Sequence, residues 1–499
     1  MANASNESPE VDKSLKKDTL INLMGMLGQL SGPALLILIA RVYGTSRLGV
    51  FLTVLAFLDV SISFLTSGFR DAALMFVARH SDSEDEDDDQ QLYQSLANAM
   101  AWSLGFALLI IALVYWAAPY LGSRIESFSP EMLPMLKLMV VSMPLFAFAR
   151  IVLAATQGLM IMKYEAIDAT GRSLSLFILA LLLWPITESG TGLALAYVGS
   201  QVLSFLFALY VFWRQFLAAK LWRAVVNFRF HGQLLRFAIP QNLNMALNYF
   251  ITNVDVLMLA YMGTSASMVG FYGAAARIVR ELRRIRMVFS GALSPRIVVL
   301  FQAGKISELS TLLSRTSGWI AVFAIPAILA TMAIHPFVLQ LFDPKFVGNT
   351  GFVMVLLLLP YLDCSFGLAG NVITMTGHSR LSLYNSLAIG TVNVGINTVL
   401  IPEYGLLGAA IASAIASLLM VVLMLSELRF ILKMPLQVAY IYKPHLAGLL
   451  AVGLGILYQR EFAFGQGTVA GQFVYCLVLL TLFAAAFLVV GGRFRRKSG

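Results

Sequence analysis

Cysteine and charge are both scarce in this sequence. Only two of its 499 residues are cysteines, and Asp, Glu, Lys and Arg together make up 12% of the chain. Cys364 and Cys476 lie in apolar stretches without CxxC or metal-ligand spacing, so we predict two reduced core residues and no disulfide or zinc site. A soluble domain carries about 25% charged residues. The scarcity of charge therefore excludes an ordinary soluble protein.

The sequence also lacks the motifs of common enzymes. It contains no Walker loop, no GxSxG and no histidine pair with metal-binding spacing, and its five histidines are scattered. The connections between its apolar stretches are short, which leaves no extramembrane domain for an active site. We therefore predict that the protein is not an enzyme and that it uses no cofactor and no metal ion.

Long apolar runs are what the sequence has in abundance. Hydrophobic residues make up 59% of the chain, and the mean hydropathy is +0.80. Because about 20 apolar residues in a helix cross the hydrocarbon layer, the runs predict an all-α polytopic membrane protein with about fourteen transmembrane helices. We place these spans near residues 20–40, 48–68, 95–117, 133–162, 171–187, 192–213, 234–262, 268–294, 316–334, 352–376, 382–401, 405–428, 444–459 and 469–491.

The basic residues are distributed unevenly between the two sets of connections. The formal net charge is +9, but the basic residues are interleaved with apolar runs, so we predict that they orient the chain in the membrane and bind no nucleic acid. Most Lys and Arg outside the spans fall on the side that holds both termini. By the positive-inside rule, both termini are predicted to lie in the cytoplasm, in a multi-pass protein of the inner (cytoplasmic) membrane.

The two halves of the chain share short sequence echoes. The turn after the first predicted span reads Tyr43-Gly44-Thr45-Ser46, and the turn after the seventh reads Met262-Gly263-Thr264-Ser265. A separation of six spans predicts two six-helix bundles, followed by two helices without a counterpart. The predicted organisation is a cytoplasmic tail (1–18), an N-terminal bundle (19–216), a cytoplasmic linker (217–233), a C-terminal bundle (234–430) and two additional helices with a basic tail (431–499).

One predicted span carries a run of charge where a membrane helix normally has none. Residues 277–286 contain five arginines and one glutamate, with apolar sequence on both sides. At 100° per residue, Arg277, Arg280, Glu281 and Arg284 fall within about 100° of one helical face. Because charge inside the membrane needs a partner or water, we predict that the three arginines bind a diphosphate headgroup. Glu281 is predicted to hold them in place when the site is empty.

The two remaining arginines of this run, Arg283 and Arg286, point away from that face. They lie toward the cytoplasmic end of the predicted span 268–294. Long basic side chains at such positions extend along the helix toward water. We therefore expect Arg283 and Arg286 to anchor the cytoplasmic end of the helix.

Other buried polar groups extend the predicted site. Arg150 lies near the middle of the fourth span and is predicted to contact the same headgroup, because cations outnumber anions among these buried groups. Asn244 and Asn248 share a face by their i,i+4 spacing. Their amides suit either sugar hydroxyls or interhelical hydrogen bonds, and both roles stay open. The predicted ion-coupling or helix-locking groups are Asp59, Asp255, Asp363 and Glu281.

Three stretches of the sequence carry a family resemblance. The first runs from Leu36-Ile37-Leu38-Ile39-Ala40-Arg41 into Leu48-Gly49-Val50-Phe51, the second covers residues 255–275, and the third covers residues 377–412, with Ile401-Pro402-Glu403-Tyr404-Gly405 at its centre. From about residue 18 to 490, the chain resembles polysaccharide and O-antigen type flippases of the multidrug/oligosaccharidyl-lipid/polysaccharide (MOP) exporter superfamily.

The resemblance implies a fold and a function. The expected fold is two helical bundles around a central, often cationic cavity, and the expected function is alternating-access translocation of a polyprenyl-diphosphate-linked oligosaccharide for surface polysaccharide biosynthesis. Membrane lipids and other polysaccharide assembly proteins are the implied partners. Two alternatives stay open. One is a cation-coupled multidrug exporter of the same fold, which predicts an acidic cavity, and the other is a membrane glycan polymerase or ligase, which needs a long outward loop.

Overall fold

A computed structural model of the protein describes residues 31–80, 86–159, 161–187, 189–230, 232–348, 350–434, 438–462 and 468–490. The predicted cytoplasmic tail (1–18) and the first part of the first predicted span lie outside these residues. Within them, all regular structure is helical and no strand is present. A helix satisfies its backbone hydrogen bonds within one segment, as a chain in hydrocarbon must. The structure therefore confirms the all-α prediction.

The helices fall into two compact units that divide at Gly270. The first unit comprises nine helices of the described residues and the start of a tenth. In chain order they are α1 (Ser31–Leu38), which continues as a π-helical turn (Ile39–Tyr43), α2 (Thr45–His80), α3 (Glu86–Phe128), α4 (Met132–Val140), α5 (Met143–Gly158), α6 (Lys163–Leu183), α7 (Gly190–Gln215), α8 (Ala218–Val226), α9 (Gly232–Tyr261) and α10 (Ala266–Glu281).

The second unit begins at Phe271, within α10. A 3-10 turn, Pro344–Gly348, follows its longest helix, α12. The helices after α10 are α11 (Arg284–Gln302), α12 (Ile306–Phe342), α13 (Gly351–Leu356), α14 (Leu358–Phe366), α15 (Leu368–Met375), α16 (Ser379–Tyr404), α17 (Leu406–Phe430), α18 (Val438–Phe462) and α19 (Val469–Val489).

Most of the predicted membrane spans correspond to helices that are long and apolar enough to cross a membrane. In the described part of the chain, nine are single helices, and two more are bent pairs, α4 with α5 at 41° and α13–α14 with α15 at 47°. The three other predicted spans match the shorter apolar helix Gly32–Tyr43, α10 with α11, and α16. Arginines lower the hydropathy of α10 and α11, and asparagines lower that of α16. The protein is a multi-pass membrane protein.

Two helices of the first unit, α2 and α9, are in backbone contact. A Cβ atom at Gly68 would collide with the carbonyl group of Ala238, and the Gly68 amide donates a hydrogen bond to Asn242 Oδ1 at 2.6 Å. Near the start of α2, Gly49 meets the backbone of Ala266 in the same way. Glycines permit such close approach of membrane helices. As a result α9 lies in the first compact unit. The sequence assigns α9 to the C-terminal bundle, and the boundaries of the two predicted bundles stay a prediction.

The last two described helices, α18 and α19, pack on α12. Their shared core includes Ile325 of α12 and Leu479 of α19. Pro336 lies inside α12 and disturbs its backbone, and the adjacent Phe337 amide donates a hydrogen bond to Gln472 Oε1 of α19 at 2.8 Å. The helices α18 and α19 have no counterpart in the sequence repeat. They are joined to α12 by apolar packing and by the hydrogen bond to Gln472.

Candidate functional site

The arginine-rich segment 277–286 is not one continuous helix. α10 ends at Glu281 and α11 begins at Arg284. Between them, the amides of Leu282 and Arg283 donate to carbonyls three residues earlier, at 3.2 and 3.0 Å. The expectation of one regular helix through this segment is wrong, because the chain tightens into i→i+3 turns. Such a tightened stretch within a helix often marks a functional hinge, and the arginines beyond it no longer follow the 100° spacing.

Side chains of α14 stabilise this break. The Cys364 thiol donates to the Leu282 carbonyl at 3.6 Å, and Asp363 Oδ2 accepts a hydrogen bond from Arg286 Nε at 2.9 Å. The paired side chains are 23% and 16% exposed. Broken helices at membrane depth need protein groups that satisfy the freed backbone. Arg286, which we expect to anchor the cytoplasmic end of the helix, is thus also paired with a carboxylate of α14.

Glu281 lies beside one of the predicted headgroup arginines. Its Oε2 is 2.5 Å from Arg284 Nε, and the two side chains are 38% and 32% exposed. Arg277 and Arg280 lie on α10 and are half-buried. Their spacing of three residues places them on the same side of that helix. In the second unit the structure therefore brings two carboxylates to the arginine run. Glu281 contacts Arg284, and Asp363 contacts Arg286.

Arg150 belongs to a different cluster of charge, in the first unit. Glu165 Oε1 of α6 accepts a hydrogen bond from Arg150 Nη1 of α5 at 2.7 Å and lies 3.9 Å from Arg70 Nη2 of α2. Arg70 Nη1 is 3.9 Å from Asp71 Oδ1, and Arg70 Nη2 donates to Gln157 Oε1 at 3.4 Å. The four charged side chains are between 18% and 34% exposed. One carboxylate thus joins guanidinium groups from two helices.

The most deeply buried carboxylate of this cluster is Asp168, one turn further along α6. Its side chain is 2% exposed. Ser204 Oγ of α7 donates to Asp168 Oδ1 at 2.5 Å, and Arg172 Nη1 lies 3.7 Å from Oδ2. Arg172 and Arg150 both lie over the ring of Phe146, at 5.1 and 5.8 Å from its centroid. The ring face attracts both cations, so these side chains are held by an acid on one side and an aromatic surface on the other.

Four buried polar atoms of this cluster have no hydrogen-bond partner in the described part of the chain. They are Arg70 Nε, Glu165 Oε2, Asp168 Oδ2 and Arg172 Nη1. Buried polar atoms are normally satisfied, because an unmade hydrogen bond costs about 1–3 kcal/mol. Asp168 Oδ2 and Arg172 Nη1 face each other as an ion pair at 3.7 Å, so the capacity of the cluster to bond a further polar group rests on Arg70 Nε and Glu165 Oε2.

The polar side chains of α9 connect to the same region. Gln241 Nε2 donates to Asp71 Oδ2 at 3.2 Å. Asn248 Nδ2 donates to the Asn244 carbonyl at 2.8 Å, so this amide bonds within its own helix. Both asparagines are half-buried. The local bond fixes the orientation of the Asn248 side chain on the face that it shares with Asn244.

The two remaining predicted acids also lie in the first unit. Asp59 of α2 is half-buried, and Asp255 of α9 is buried, with 7% of its surface exposed. No group of three or more His, Cys, Asp or Glu among the described residues has the geometry to hold a metal ion. The structure thus places the predicted site residues in two sets, with Asp59, Arg150, Asn244, Asn248 and Asp255 in the first unit and Arg277, Arg280, Glu281, Arg284 and Asp363 in the second.

The sequence patterns did not reveal Arg70, Glu165, Asp168 and Arg172 as site residues. Hydropathy ends the second predicted span at residue 68 and starts the fifth at residue 171, so Arg70, Glu165 and Asp168 fall in connections and Arg172 falls at the very start of a span. In the structure α2 continues further and α6 begins earlier, which places all four within helices. Glu165, Asp168 and Arg172 have i, i+3, i+7 spacing, which puts them on one face of α6. This spacing is the sequence pattern from which they could have been identified as a cluster.

A family model and two related proteins match the chain. The model, described as "Polysaccharide biosynthesis protein", matches residues 14–301, which is more than half of the chain. The chain is 24% identical over 430 residues to an uncharacterized membrane protein of Methanocaldococcus jannaschii, covering 81% of this chain and 95% of that protein. It is 25% identical over 167 residues to the probable flippase AglR of Haloferax volcanii, covering 33% of this chain and 35% of that protein.

Solved structures with the same fold are also found. The lipid II flippase MurJ, in an inward closed conformation, superimposes with a TM-score of 0.72 at 14% identity and covers 94% of this chain and 99% of its own. An inward-facing multidrug resistance MATE family transporter of the MOP superfamily gives 0.66 at 15% identity, with 82% and 96% covered. These similarities concern the fold alone. The chain belongs to the polysaccharide biosynthesis protein family, and its fold is that of MurJ and the MATE transporters of the MOP superfamily.

Proposed function

We propose that the protein is a flippase that carries a polyprenyl-diphosphate-linked oligosaccharide across the cytoplasmic membrane by alternating access, for surface polysaccharide biosynthesis. The observation that carries this proposal is the concentration of arginine within the helices of a multi-pass member of this family. Residues 277–286 hold five arginines, and Arg70, Arg150 and Arg172 lie in helices of the first unit. Guanidinium groups bind phosphate bidentately, whereas a cationic substrate is repelled by them.

In this proposal the diphosphate binds by replacing carboxylates that are paired with arginines. Arg284 is held by Glu281, and Arg150 is held by Glu165. A phosphate group can take the place of either carboxylate on its guanidinium. Because one anion replaces another, the guanidinium groups of Arg150 and Arg284 stay paired with an anion, which avoids the large penalty for an unpaired buried charge. Arg277 and Arg280 are the further contacts of the headgroup in the second unit.

The remaining predicted groups have supporting roles in this proposal. Asn244 and Asn248 offer donors and acceptors to sugar hydroxyls. Asp363 acts as a helix-locking group, since it bonds Arg286 across from α14 to α11. Asp59 and Asp255 are assigned ion-coupling or helix-locking roles, because acids within spans are costly unless they have such a role.

We also propose that the protein resides in the inner (cytoplasmic) membrane with both termini in the cytoplasm, and that it is a transporter without catalytic activity. Lys and Arg lie mainly on the side of the termini. In this orientation, short connections on the outer side of the membrane include residues 129–131, 184–189 and 262–265. A glycan polymerase or ligase is expected to need a longer outward loop. The proposed partners of the flippase are its lipid-linked substrate, membrane lipids and other polysaccharide assembly proteins.

Reconstitution into vesicles tests the proposed substrate. Fluorescent lipid-linked oligosaccharide is incorporated with the protein, and its exposure to an external membrane-impermeant quencher is followed over time, with and without ion gradients. We expect the Arg277→Ala/Arg280→Ala variant to flip the lipid at least about tenfold more slowly than the wild type, a loss of roughly 1.4 kcal/mol or more. The control is Arg296→Ala, an exposed arginine on α11, which should leave the rate unchanged.

Wild-type flipping by the double variant at equal protein levels contradicts the assignment of these arginines. The same vesicles separate the two alternative functions. Accumulation of a cationic dye that depends on an ion gradient and is unaffected by Arg277→Ala favours a multidrug exporter. Glycan transfer between lipid carriers confined to one leaflet favours a polymerase or ligase.

A further inference from the structure

The chain between α7 and α9, residues 216–230, is fastened along α3 and is here called the strap. Gln94 of α3 donates from Nε2 to the Asn227 carbonyl at 2.9 Å and accepts from the Arg229 amide at 3.2 Å. Asn98 Nδ2, one turn further along α3, donates to the Arg229 carbonyl at 2.8 Å. The backbone of the strap is thus held by amide side chains on one face of a membrane helix, which fixes its orientation.

The beginning of the strap is also hydrogen-bonded to α3. The Leu217 amide donates to Tyr93 Oη at 2.9 Å, and Lys220 Nζ lies 6.0 Å from the centroid of the Tyr93 ring. Phe216 is buried, with 5% of its surface exposed. The strap is therefore a fixed part of the first unit, with both of its ends bonded to α3.

The helix α8 within the strap has three different faces. Leu221 and Ala224 pack against the core of the first unit. Trp222, Val225 and Val226 lie within about 100° of one another on another face and are 69%, 48% and 64% exposed. An apolar surface of this kind on a short helix between two membrane-spanning helices is suited to the membrane interface, where acyl chains cover it.

The third face of α8 is basic. Lys220 and Arg223 occupy it, and Arg229 follows in the strap; Arg223 and Arg229 are exposed and Lys220 is half-buried. An open groove of about 760 Å³ begins where the strap meets α9, and its lining includes Phe230, Ile239 and Arg236. Exposed apolar side chains beside cations match the two halves of a phospholipid, the acyl chain and the phosphate.

We propose that the strap is a binding surface for anionic phospholipids. Trp222, Val225 and Val226 insert among acyl chains, while Lys220, Arg223 and Arg229 contact the phosphates. In the orientation proposed above, this surface faces the anionic cytoplasmic leaflet. The strap joins α7 to α9, so lipid bound there fixes the connection between the N-terminal helices and the rest of the chain. This inference does not depend on which substrate is transported.

Quenching of Trp222 by brominated lipid tests the proposal with the full-length protein. Two vesicle preparations contain the same mixture of phosphatidylcholine and phosphatidylglycerol, with bromine on the phosphatidylglycerol in one and on an equal amount of phosphatidylcholine in the other. The Trp222 signal is the difference between the wild type and Trp222→Phe. We expect quenching by brominated phosphatidylglycerol to be at least about twofold stronger, because the cations enrich anionic lipid beside the indole.

The Lys220→Gln/Arg223→Gln/Arg229→Gln variant should lose this preference while its quenching by brominated phosphatidylcholine persists. A matched control removes three exposed cations elsewhere, Arg296→Gln/Lys305→Gln/Arg315→Gln, and should keep the preference. If the strap variant does not fold, added salt gives the same test on the wild type, because it screens phosphate contacts. Equal quenching by both lipids, a salt-independent preference, or a Trp222 signal that neither lipid quenches overturns the proposal.

Discussion

The two charged regions differ in how their positive charge is balanced. In the first unit, three arginines lie 2.7 to 3.9 Å from three carboxylates, the pairs being formed by Arg70, Arg150, Arg172, Asp71, Glu165 and Asp168. In the second unit, residues 277–286 hold five arginines against one glutamate, and Asp363 adds one carboxylate from α14. Counted over these side chains, the first region holds equal numbers of arginines and carboxylates, whereas the segment 277–286 with Asp363 holds more arginines than carboxylates.

This difference separates two uses of charge in a membrane protein. A balanced set of ion pairs can stay buried without a ligand, and removal of one member leaves an uncompensated charge, which is strongly destabilising. A segment with more arginines than acids of its own needs further groups for them, which water, a ligand or other parts of the protein supply. We therefore expect mutations in the first region to act mainly on stability and mutations in the second to act mainly on transport.

The largest expected effect is that of Glu165→Gln. This change removes the carboxylate that lies between Arg150 and Arg70, whose side chains are only 23% and 28% exposed. We expect the free energy of unfolding to fall by about 3 kcal/mol, since one member of a buried pair is lost. Chemical denaturation in detergent micelles measures the change.

The control for this change is Glu308→Gln, which removes the partner of Lys305 in a pair that is 59% and 54% exposed. Solvent screens such a pair, so its loss should cost less than about 0.5 kcal/mol. Equal effects of the two substitutions would show that the first region is not a balanced structural cluster.

The next effect is that of Gly68→Ala, two residues before Arg70. The new methyl group meets the Ala238 carbonyl of α9, so α2 must shift and the Arg70 guanidinium moves with it. We expect a loss of about 2 kcal/mol, as for other overpacked positions. Gly105→Ala is the matched control, since no atom lies within 4 Å of the added carbon, and it should be neutral or slightly stabilising. A stability loss in Gly105→Ala as large as in Gly68→Ala contradicts the packing argument.

In the second region, Arg280→Lys separates transport from stability. Lysine keeps the charge but cannot grip phosphate bidentately. We expect flipping to slow about tenfold, which corresponds to about 1.4 kcal/mol, with little change in the denaturation midpoint. The matched change in the first region, Arg150→Lys, weakens the bond to Glu165 and should lower the midpoint as well. A large loss of stability in Arg280→Lys would remove the distinction between the regions.

The membrane fold could be predicted from the sequence because hydropathy acts over whole spans. Each of the fourteen predicted segments is mainly helical where the structure describes it, and the segments 133–162, 268–294 and 352–376 contain short breaks between helices. The ends of the helices were less predictable, since apolar windows stop at the first charges while the backbone continues. α6 begins at Lys163 and so includes Glu165 and Asp168, which hydropathy alone places in a connection.

The pairings could not be predicted from local patterns. Arg286 bonds Asp363, 77 residues away, and the break before Arg284 depends in part on Cys364 of the same distant helix. No periodicity within 277–286 contains this information, because tertiary partners decide which arginines are neutralised. The Glu281 and Arg284 pair is different, since its i,i+3 spacing makes the contact a local property of the sequence.

The smallest expected effect, with the opposite sign, is that of Glu281→Gln. Its pair with Arg284 is 38% and 32% exposed, so solvent screening limits the change in stability to about 0.5 kcal/mol. Loss of the competing carboxylate leaves Arg284 more available, and the concentration of lipid-linked oligosaccharide that gives half-maximal flipping should fall about twofold. Glu308→Gln, which removes an exposed acid elsewhere in the second unit, should leave that concentration unchanged. A carboxylate that only competes with the headgroup improves binding when it is removed, whereas one that holds the helices together weakens the protein. If Glu281→Gln destabilises the protein as Glu165→Gln does, the arginines of the second region are held structurally and are not reserved for a ligand.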